Sequence, residues 1–533
     1  MQNFTGHLFL ILIQLILCFS AASASDKHII LKAKTGNIIL EGKLIGYDAT
    51  HYRINSPLYG PMTVFIRKFS CIGEACPNEK DISTSRKSTQ SSQAQEIRFT
   101  ISGSSLTGLG LVPELLEQFA REQNYLLKRI PGPNKMKFKI ELTAKGKVRK
   151  AVIDINANGS SPGFSSLIAE QSQIVMSTRP AQAYEADLAK RTDPSNKLIA
   201  HKIGLDAIAI ITSPRNKINS LSMQQVAKIF AGEIRDWSEV GGRAGSINIY
   251  LRNHNSGIHE SFSKLAMKPF NKDITRKARK FRSSKTLSET LSTDPRGIGF
   301  TELTYAENAK TLFIKKNCGQ EKAPNTFNIK TQEYPYTRNL YLYSSNYTTN
   351  SLARKFLNYS QSEKAQTIIN SAGFVNQSVG YQSFDSIGNS VLATFSELRQ
   401  TNERVLLKSL VRSLRHSNRL SVIFRFQPNS IRLDATSVKQ ISKLGPVLQK
   451  ANQTGKKVYL AGFSDSAGDF EQNREIALLR AQQVKNILSN TLKDFAPSSL
   501  LTPVSFGELL PVACNTTPMG RAKNRRVEIW ITK

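Results

Sequence analysis

Short runs of alternating apolar and polar residues open the readable part of the chain. HIILKAKTG, NIILEGKLIGYD, HYRINSPLYG and PMTVFIRKFSC lie between residue 28 and about residue 77, separated by Gly, Asp and Pro. Period-two alternation between turn formers predicts short β-strands and a small β-barrel or roll. STSRKSTQSSQAQ, Ser83 to Gln95, follows with almost no apolar residue and predicts a polar linker. From about Ile97 to Gln377 the period switches back and forth. IRFTISGS reads as a strand ending in a Gly/Ser turn, and LVPELLEQFAREQNY as a helix with Leu111, Leu115, Leu116 and Phe119 on one face. FKIELTA, QIVMST, LDAIAIIT and SINIYLRN read as strands, with SLIAEQS and SMQQVAKIFAGEIRDWSEV as helical stretches between them. This rhythm predicts an α/β domain, and its length of about 280 residues suits two lobes. Residues 384 to about 416 read as one connecting amphipathic helix. The segment from Leu420 to Lys533 runs strand, helix, strand, helix, strand, strand.

The start of the chain changes the picture. LFLILIQLILCF, Leu8 to Phe19, is an apolar run of about a dozen residues, short for a membrane span and suited to a secretory leader. Ala22-Ser23-Ala24 supplies a small-x-small pattern, which predicts cleavage after Ala24; an uncleaved anchor is the alternative. Cys18 follows Leu17 rather than a small residue, against a lipoprotein signal. The expected location is the periplasm, in association with peptidoglycan or the outer membrane.

Export sets the chemistry of the four remaining cysteines. Cys71 and Cys76 bracket IGEA, and an oxidising compartment favours a local disulfide. A C-x4-C metal half-site is the alternative, but no second Cys/His pair completes it. Cys318 and Cys514 fall in different segments, and the sequence leaves their pairing open. Charge narrows the partners. The chain has 73 Lys plus Arg against 40 Asp plus Glu, a net +33 over 533 residues. For an exported protein this points to anionic envelope polymers rather than nucleic acid.

Close to the C-terminus, GFSDSAGDFEQNREIALLRAQQV places Asp465 after a hydrophobic run and Arg480 on the next helix. A carboxylate facing a guanidinium across a gap suits a zwitterion, and the planar Arg fork matches a carboxylate in bidentate fashion. A mere Asp465–Arg480 pair is the alternative. Together with FRFQPNSIRLD, FGELLPVACN and GRAKNRRVEIWI, this stretch resembles the OmpA-type peptidoglycan-associated domain over the whole segment. The resemblance implies binding to the diaminopimelate of the peptidoglycan stem, with Asp465 taking the ammonium, Arg480 the carboxylate and Asn473 close by. Arg521, Asn524, Arg525 and Arg526 match the closing motif. Arg525 and Arg526 are the candidate stem contacts, with structural ion pairs as the alternative. Ser464 stands where the family has Thr, and Ala477, preceded by Ile476, where it has Ser, a departure expected to weaken binding.

The middle segment resembles the phosphate-binding-protein-like family of periplasmic solute receptors. ISGSSLTGLGLVPELLEQFA, NANGSSPGFSSLIAEQSQIVMSTRPA, the LDAIAIITSPRN to WSEVGG run, YLRNHNSGIHESF and DPRGIGF carry it. The resemblance implies two α/β lobes closing on an oxyanion. Ser104 and Ser105 after Gly103, and Gly159-Ser160, each end a strand and open a helix, where unpaired amides and the helix dipole favour an anion. Arg252 with Ser256 and Gly257 matches the family's Arg loop, and Ser177, Thr178 and Arg179 stand at its proton-accepting acid. With that acid absent and Arg179 added, the site should prefer a dianion or a phosphoryl group. His254 and Ile258 also depart from the family pattern.

The expected fold is multidomain, α/β and α+β: a small N-terminal β domain, a two-lobed periplasmic-binding-protein-like α/β domain and a C-terminal OmpA-like α+β domain. The expected boundaries are a signal peptide at 1–24, the β-rich domain at 25–80, the linker at 81–96, the solute-binding-like domain at 97–378, a helical connector at 379–417 and the wall-binding domain at 418–533. The leading function is a non-enzymatic envelope protein that binds phosphate or a phosphorylated ligand and is tethered to peptidoglycan. The alternative is a structural or adhesive protein whose middle domain no longer binds a small ligand. A phosphatase is the third reading, but there is no nucleophile elbow, and His254 and His259 around Ser256 have a weak metal spacing. No cofactor and no metal are expected.

Overall fold

The structure is a computed structural model that describes residues 28–34, 39–48, 50–57, 60–78, 96–144, 150–192, 194–253, 257–316, 318, 320–346, 348–398, 400–427 and 430–533. The apolar run Leu8–Phe19, the Ala24 cleavage point, the linker Ser83–Gln95, His254 and Ser256 lie outside the described residues. The chain divides into two compact units, Met1–Gln95 and Glu96–Lys533.

In the first unit, β1 (His28–Ala33), β2 (Ile39–Tyr47), β3 (His51–Ser56), β4 (Gly60–Phe65) and β5 (Phe69–Ile72) form one antiparallel sheet in the order β4-β3-β2-β1-β5. Alternation along β2 buries Leu40 and Leu44 against Ile29, Leu31, Tyr52 and Ile54. Among the described residues β4 and β5 remain the two edges, so the strands form an open sheet rather than a closed barrel. Cys71 and Cys76 form a disulfide at the end of β5.

The second unit opens with β6 (Ile97–Gly103), α1 (Val112–Glu122), β7 (Tyr125–Asn134), β8 (Lys137–Ala144), β9 (Lys150–Asn156), α2 (Ser160–Ile168), β10 (Ile174–Ser177) and α3 (Ala183–Thr192). It continues with β11 (Leu198–Thr212), α4 (Met223–Ala231), β12 (Asn248–Arg252), α5 (Gly257–Phe262), β13 (Arg279–Phe281), α6 (Ser284–Thr293), β14 (Gly297–Glu302) and β15 (Thr337–Ser345). These strands belong to one eleven-stranded sheet in the order β13-β12-β14-β11-β15-β10-β6-β9-β8-β7, with Lys310–Thr311 pairing beside β11. The helix expected at SLIAEQS instead spans Ser160–Ile168, because Ser160 follows the strand-ending turn at once.

Two cores make two lobes. One packs Leu115, Leu116 and Phe119 of α1 on Phe99 and Ile101 of β6; the other packs Val226 and Phe230 of α4 on Ile208, Ile210 and Phe300. Among the described strands, β11 and β15 run through both. They pair along nine register positions, with an irregularity between Lys202 and Gly204 where the sheet passes from one lobe to the other.

The C-terminal domain begins within the expected connector. β16 (Tyr381–Ser383) joins a second sheet at its edge, followed by α9 (Gly388–Glu397) and α10 (Thr401–Leu414), with α7 (Ser351–Tyr359) and α8 (Glu363–Ser371) preceding it. The single helix expected over 384–416 is two helices. A capping box between Gln400 and Glu403 starts α10 afresh after Leu398 turns extended. Then come β17 (Ser417–Arg425), α11 (Ala435–Gln440), α12 (Gly445–Gln453), β18 (Val458–Phe463), α13 (Phe470–Thr491), β19 (Leu501–Ser505), α14 (Pro518–Asn524) and β20 (Arg526–Thr532). The sheet order is β16-β17-β20-β18-β19. One face carries Leu444, Leu448, Val484 and Leu488; the other carries Leu407, Leu410 and Leu414 of α10 against Phe463 and Trp530.

This domain is joined to the second lobe by more than the chain. Cys318 is disulfide-bonded to Cys514, a pairing across 196 residues. Beside it, buried Arg419 spans Glu333 at 2.6 Å and Glu528 at 2.7 Å, while Lys322 completes Glu333 and Arg526 completes Glu528, each at 2.6 Å. Burial works to raise the Glu333 carboxyl, but Arg419 and Lys322 outweigh it and hold it well below the usual carboxylate range.

Candidate functional site

The C-terminal cleft grows from one strand end and one helix face. β18 stops at Phe463, and Ser464 and Asp465 stand at its exit, both buried. Asp469 caps α13 by accepting from the amides of Glu471 and Gln472, which aims the helix back over the sheet. Asn473, Ile476 and Arg480 then recur at helical spacing along one face. Gly462 lets α13 settle on β18, since a Cβ there would come 2.0 Å from the Ala477 carbonyl oxygen. The resulting cleft has a volume of about 870 Å³ and gathers Asp465, Asn473, Ile476, Arg480, Arg521 and Arg525.

Its charges are unevenly satisfied. Arg525 Nη1 donates to Asp465 Oδ2 at 2.5 Å, and the Ala467 amide donates to Oδ1. Asp465 thus pairs with Arg525, not Arg480. Arg480 is 5 % exposed, lies over the Phe426 ring at 5.4 Å, and has a buried Nε with no hydrogen-bond partner. Among the described residues no carboxylate forms an ion pair with it. Burial, and then Arg525, make its guanidinium less basic than an ordinary arginine, against the pull of Asp465. The Ser464 hydroxyl is likewise buried without a partner.

The remaining expected residues separate. Arg525 faces the cleft. Arg526, expected as a stem contact, does not: it is 1 % exposed, held by Glu528 and the Leu510 carbonyl, because β20 starts there and turns alternate side chains to opposite faces. Asn524 accepts from the Val512 and Ala513 amides and shapes that loop. Ala477 lies against Gly462 and Ile476 lines the cleft, so the departure at Ala477 falls outside the lining.

The middle domain brings its first-lobe candidates together at the ends of β6 and β10. Gly103 has φ +135°, and a Cβ there would meet the Met176 carbonyl oxygen at 2.1 Å, so only glycine fits the turn into the following helix. The Ser104 amide donates to that same carbonyl, and the Gly159 amide to the Gly103 carbonyl. Ser104, Ser160, Ser177 and Thr178 are buried around this junction, with Ser105 half-buried beside them. Arg179 is not an unpaired cation. Its Nη2 and Nη1 donate to the two Glu185 oxygens at 2.7 and 2.8 Å, Nη2 also reaches Ser161 Oγ, and the guanidinium lies over Phe164. Glu185 makes Arg179 more basic than usual, against the effect of burial. Only Nε points across the lobes, 3.9 Å from Glu260 on α5.

In the second lobe Arg252 ends β12, and Gly257 opens α5. Arg252 Nη1 donates to Ser284 Oγ at 2.6 Å, which donates to Glu302 Oε2 at 2.6 Å. Glu302 in turn stands 3.9 Å from Arg338, which grips Asp206 at 2.6 Å where β11 and β15 cross between lobes. Burial raises the Asp206 carboxyl despite Arg338. Arg252 Nε is buried and unpartnered. Sequence reading missed Glu185, Ser284, Glu302, Asp206 and Arg338. Asp206 within LDAIAIIT and Arg338 within TRNLYLYSS were detectable as lone charges in buried strands.

Known proteins match along these divisions. A family model for the PBP superfamily domain matches residues 87–364, and one for the OmpA family matches residues 425–525. The phosphate-binding protein PstS of Borreliella burgdorferi is 28% identical over 231 residues, 42% of this chain and 79% of that protein. Outer membrane porin F of Pseudomonas fluorescens is 42% identical over 78 residues, 15% of this chain and 23% of the porin. An ABC-type phosphate transport receptor from Vibrio cholerae of known structure is 20% identical, with a TM-score of 0.41 over 52% of this chain and 99% of the receptor. With more than half of its length matched by the family model, the chain belongs to the PBP superfamily and carries an OmpA-family domain at its C-terminal end.

Proposed function

We propose that this protein is a non-enzymatic component of the cell envelope, periplasmic, tethered to peptidoglycan by its OmpA-family domain and binding a phosphate-type oxyanion between the lobes of its middle domain. The observation that carries the reading is Arg480, a buried guanidinium held without a carboxylate partner in an open cleft beside Asp465. A buried charge without a partner is costly, and a ligand carboxylate relieves that cost. The amino acid of a diaminopimelate stem brings both charges on one carbon. Its carboxylate meets Arg480 and its ammonium meets Asp465, displacing or sharing the Arg525 contact. In the middle domain the corresponding support is Arg252, steered by Ser284 and Glu302 and left with a spare Nε. The relative named as a phosphate-binding protein aligns with this region and supports phosphate as the first ligand to try.

The test is sedimentation with insoluble peptidoglycan sacculi at low and high salt, paired with phosphate titration calorimetry. Wild type should sediment at both salt concentrations, Arg480→Ala and Asp465→Ala should not, and Arg252→Ala should lose phosphate while keeping sacculi. Salt-sensitive sedimentation that is the same in all variants would favour the second reading. There the net +33 charge holds an adhesive or structural protein to anionic polymers.

A further inference from the structure

We propose a second anion site, in the seam where the crossing strand β11 meets the C-terminal domain, built from Lys202, Lys330, Lys443, Arg425 and Lys523 and suited to a multivalent phosphate-type anion. The five cations come from five separate stretches of chain and converge on the neutral Asn376–Ser378 loop and on the Thr331 and Gln332 carbonyls. Lys330 Nζ donates to Asn376 Oδ1 and to the Ser378 carbonyl, both at 2.6 Å. Lys443 Nζ reaches the Gln377 carbonyl and side chain at 3.5 and 3.3 Å, long contacts that leave donor capacity unspent. Gln377 itself donates to the Lys202 carbonyl at 2.7 Å, which fixes Lys202 beside the same loop. On the other flank Arg425 Nη2 donates to the Thr331 carbonyl and Lys523 Nζ to the Gln332 carbonyl.

Among the described residues no acid forms an ion pair with these five cations, although Glu333 acts on Arg425 and Lys523 from a longer distance. Glu333 and Glu528 are occupied by Arg419, Lys322 and Arg526. Asp434, which also acts on Arg425, caps α11 through the Ser437 amide. Arg425 Nε is buried without a partner. Among the described residues Lys202 Nζ makes no hydrogen bond or ion pair. All five side chains are half-buried, so each keeps some access to solvent while losing much of its hydration.

The cost of this gathering is visible along the row. Burial, with Lys443 and Arg425 close by, pushes Lys202 down to about 8, and burial with Lys443 pushes Lys330 down to about 8. Burial also lowers Lys443, and burial with Arg425 lowers Lys523 against the pull of Glu333. Like charges collected on neutral acceptors are tolerated when a counter-charge can enter. A single phosphate neutralises part of such a row; an oligophosphate spans it and gains several charge-assisted bonds together. The occupant would join Lys202, at the irregularity of β11 between the lobes, to Lys443 and Arg425 of the C-terminal domain, bracing the strand crossing from behind. The site shares no residue with Arg252.

The experiment uses the full mature chain, with sodium tripolyphosphate and inorganic phosphate as probes in calorimetry and thermal unfolding, and sodium chloride at matched ionic strength as reference. Tripolyphosphate should bind wild type and Arg252→Ala with the same affinity, and bind Lys202→Gln/Lys443→Gln at least tenfold more weakly. The double variant removes repulsion, so without anion its Tm should stay level or rise, and it should retain the inorganic phosphate response of wild type. Tripolyphosphate binding that is unchanged in Lys202→Gln/Lys443→Gln, or abolished by Arg252→Ala alone, would overturn the proposal. Equal stabilisation by sodium chloride would overturn it too.

Discussion

Two arginines that sequence placed in binding sites, Arg480 and Arg179, are buried to a similar depth and differ in what already holds them. Arg179 is locked in bidentate fashion by Glu185, with Ser161 and the Phe164 ring completing its shell. Arg480 has an aromatic ring beneath it and, among the described residues, no carboxylate in an ion pair with it, in an open cleft shared with Asp465. A charge at the right place in the chain is available for binding only when the fold has not already neutralised it. The cleft of the OmpA-family domain keeps its cation in reserve. The first lobe of the middle domain spends its cation on its own architecture, whereas Arg252 in the second lobe keeps a buried Nε without a partner.

The largest effect should come from breaking that contrast in stability. Arg179→Ala leaves Glu185 buried and uncompensated and should cost about 3–5 kcal/mol in chemical denaturation, whereas Arg179→Met/Glu185→Leu should cost much less. Arg480→Ala removes an unpaired buried cation and should leave the unfolding midpoint level or higher. Equal losses from Arg179→Ala and Arg480→Ala would erase the distinction. Second, the Cys318–Cys514 bond ties the second lobe to the OmpA-family domain, so Cys318→Ser/Cys514→Ser should lower stability by about 2–5 kcal/mol while sacculi sedimentation persists. Loss of sedimentation along with the disulfide would mean that the cleft depends on the neighbouring lobe.

The smallest effect concerns pH. Lys316, donating to the Val512 carbonyl across the same seam, is pushed down to about 7 by burial, with Lys322, Lys523 and Arg425 adding to the shift and Glu333 opposing it. Lys202 and Lys330, lowered to about 8, act in the same sense. Because these lysines hold fewer protons folded than unfolded, their penalty is full below pH 7 and fades as pH rises towards the unfolded value. Stability should therefore climb between pH 7 and pH 9, and Lys316→Met should flatten the climb in denaturant titrations at each pH. A steeper climb in Lys316→Met would reverse the assignment.

Much of this was legible from local pattern. Leu111, Leu115, Leu116 and Phe119 lie on one helix face in sequence and are buried together in the first-lobe core. The turn at Gly103, the cap at Asp469 and the helical spacing of Asn473 and Arg480 are short-range features, governed by residues within a few positions of each other. Covalent geometry and helix periodicity determine those from sequence alone. The chain also determined by itself that Asp465 and Arg480 would border one gap, since a strand end and the next helix bring them there.

Only the tertiary structure decided the partners. Asp465 chose Arg525 from another strand connection, Arg526 turned inward to Glu528, and Asp206 met Arg338 across two long strands. Cys318 and Cys514 were matched over 196 residues, and the five seam cations came from five stretches. Ion pairing depends on distance and desolvation in three dimensions, neither of which is encoded in the spacing of residues along the chain.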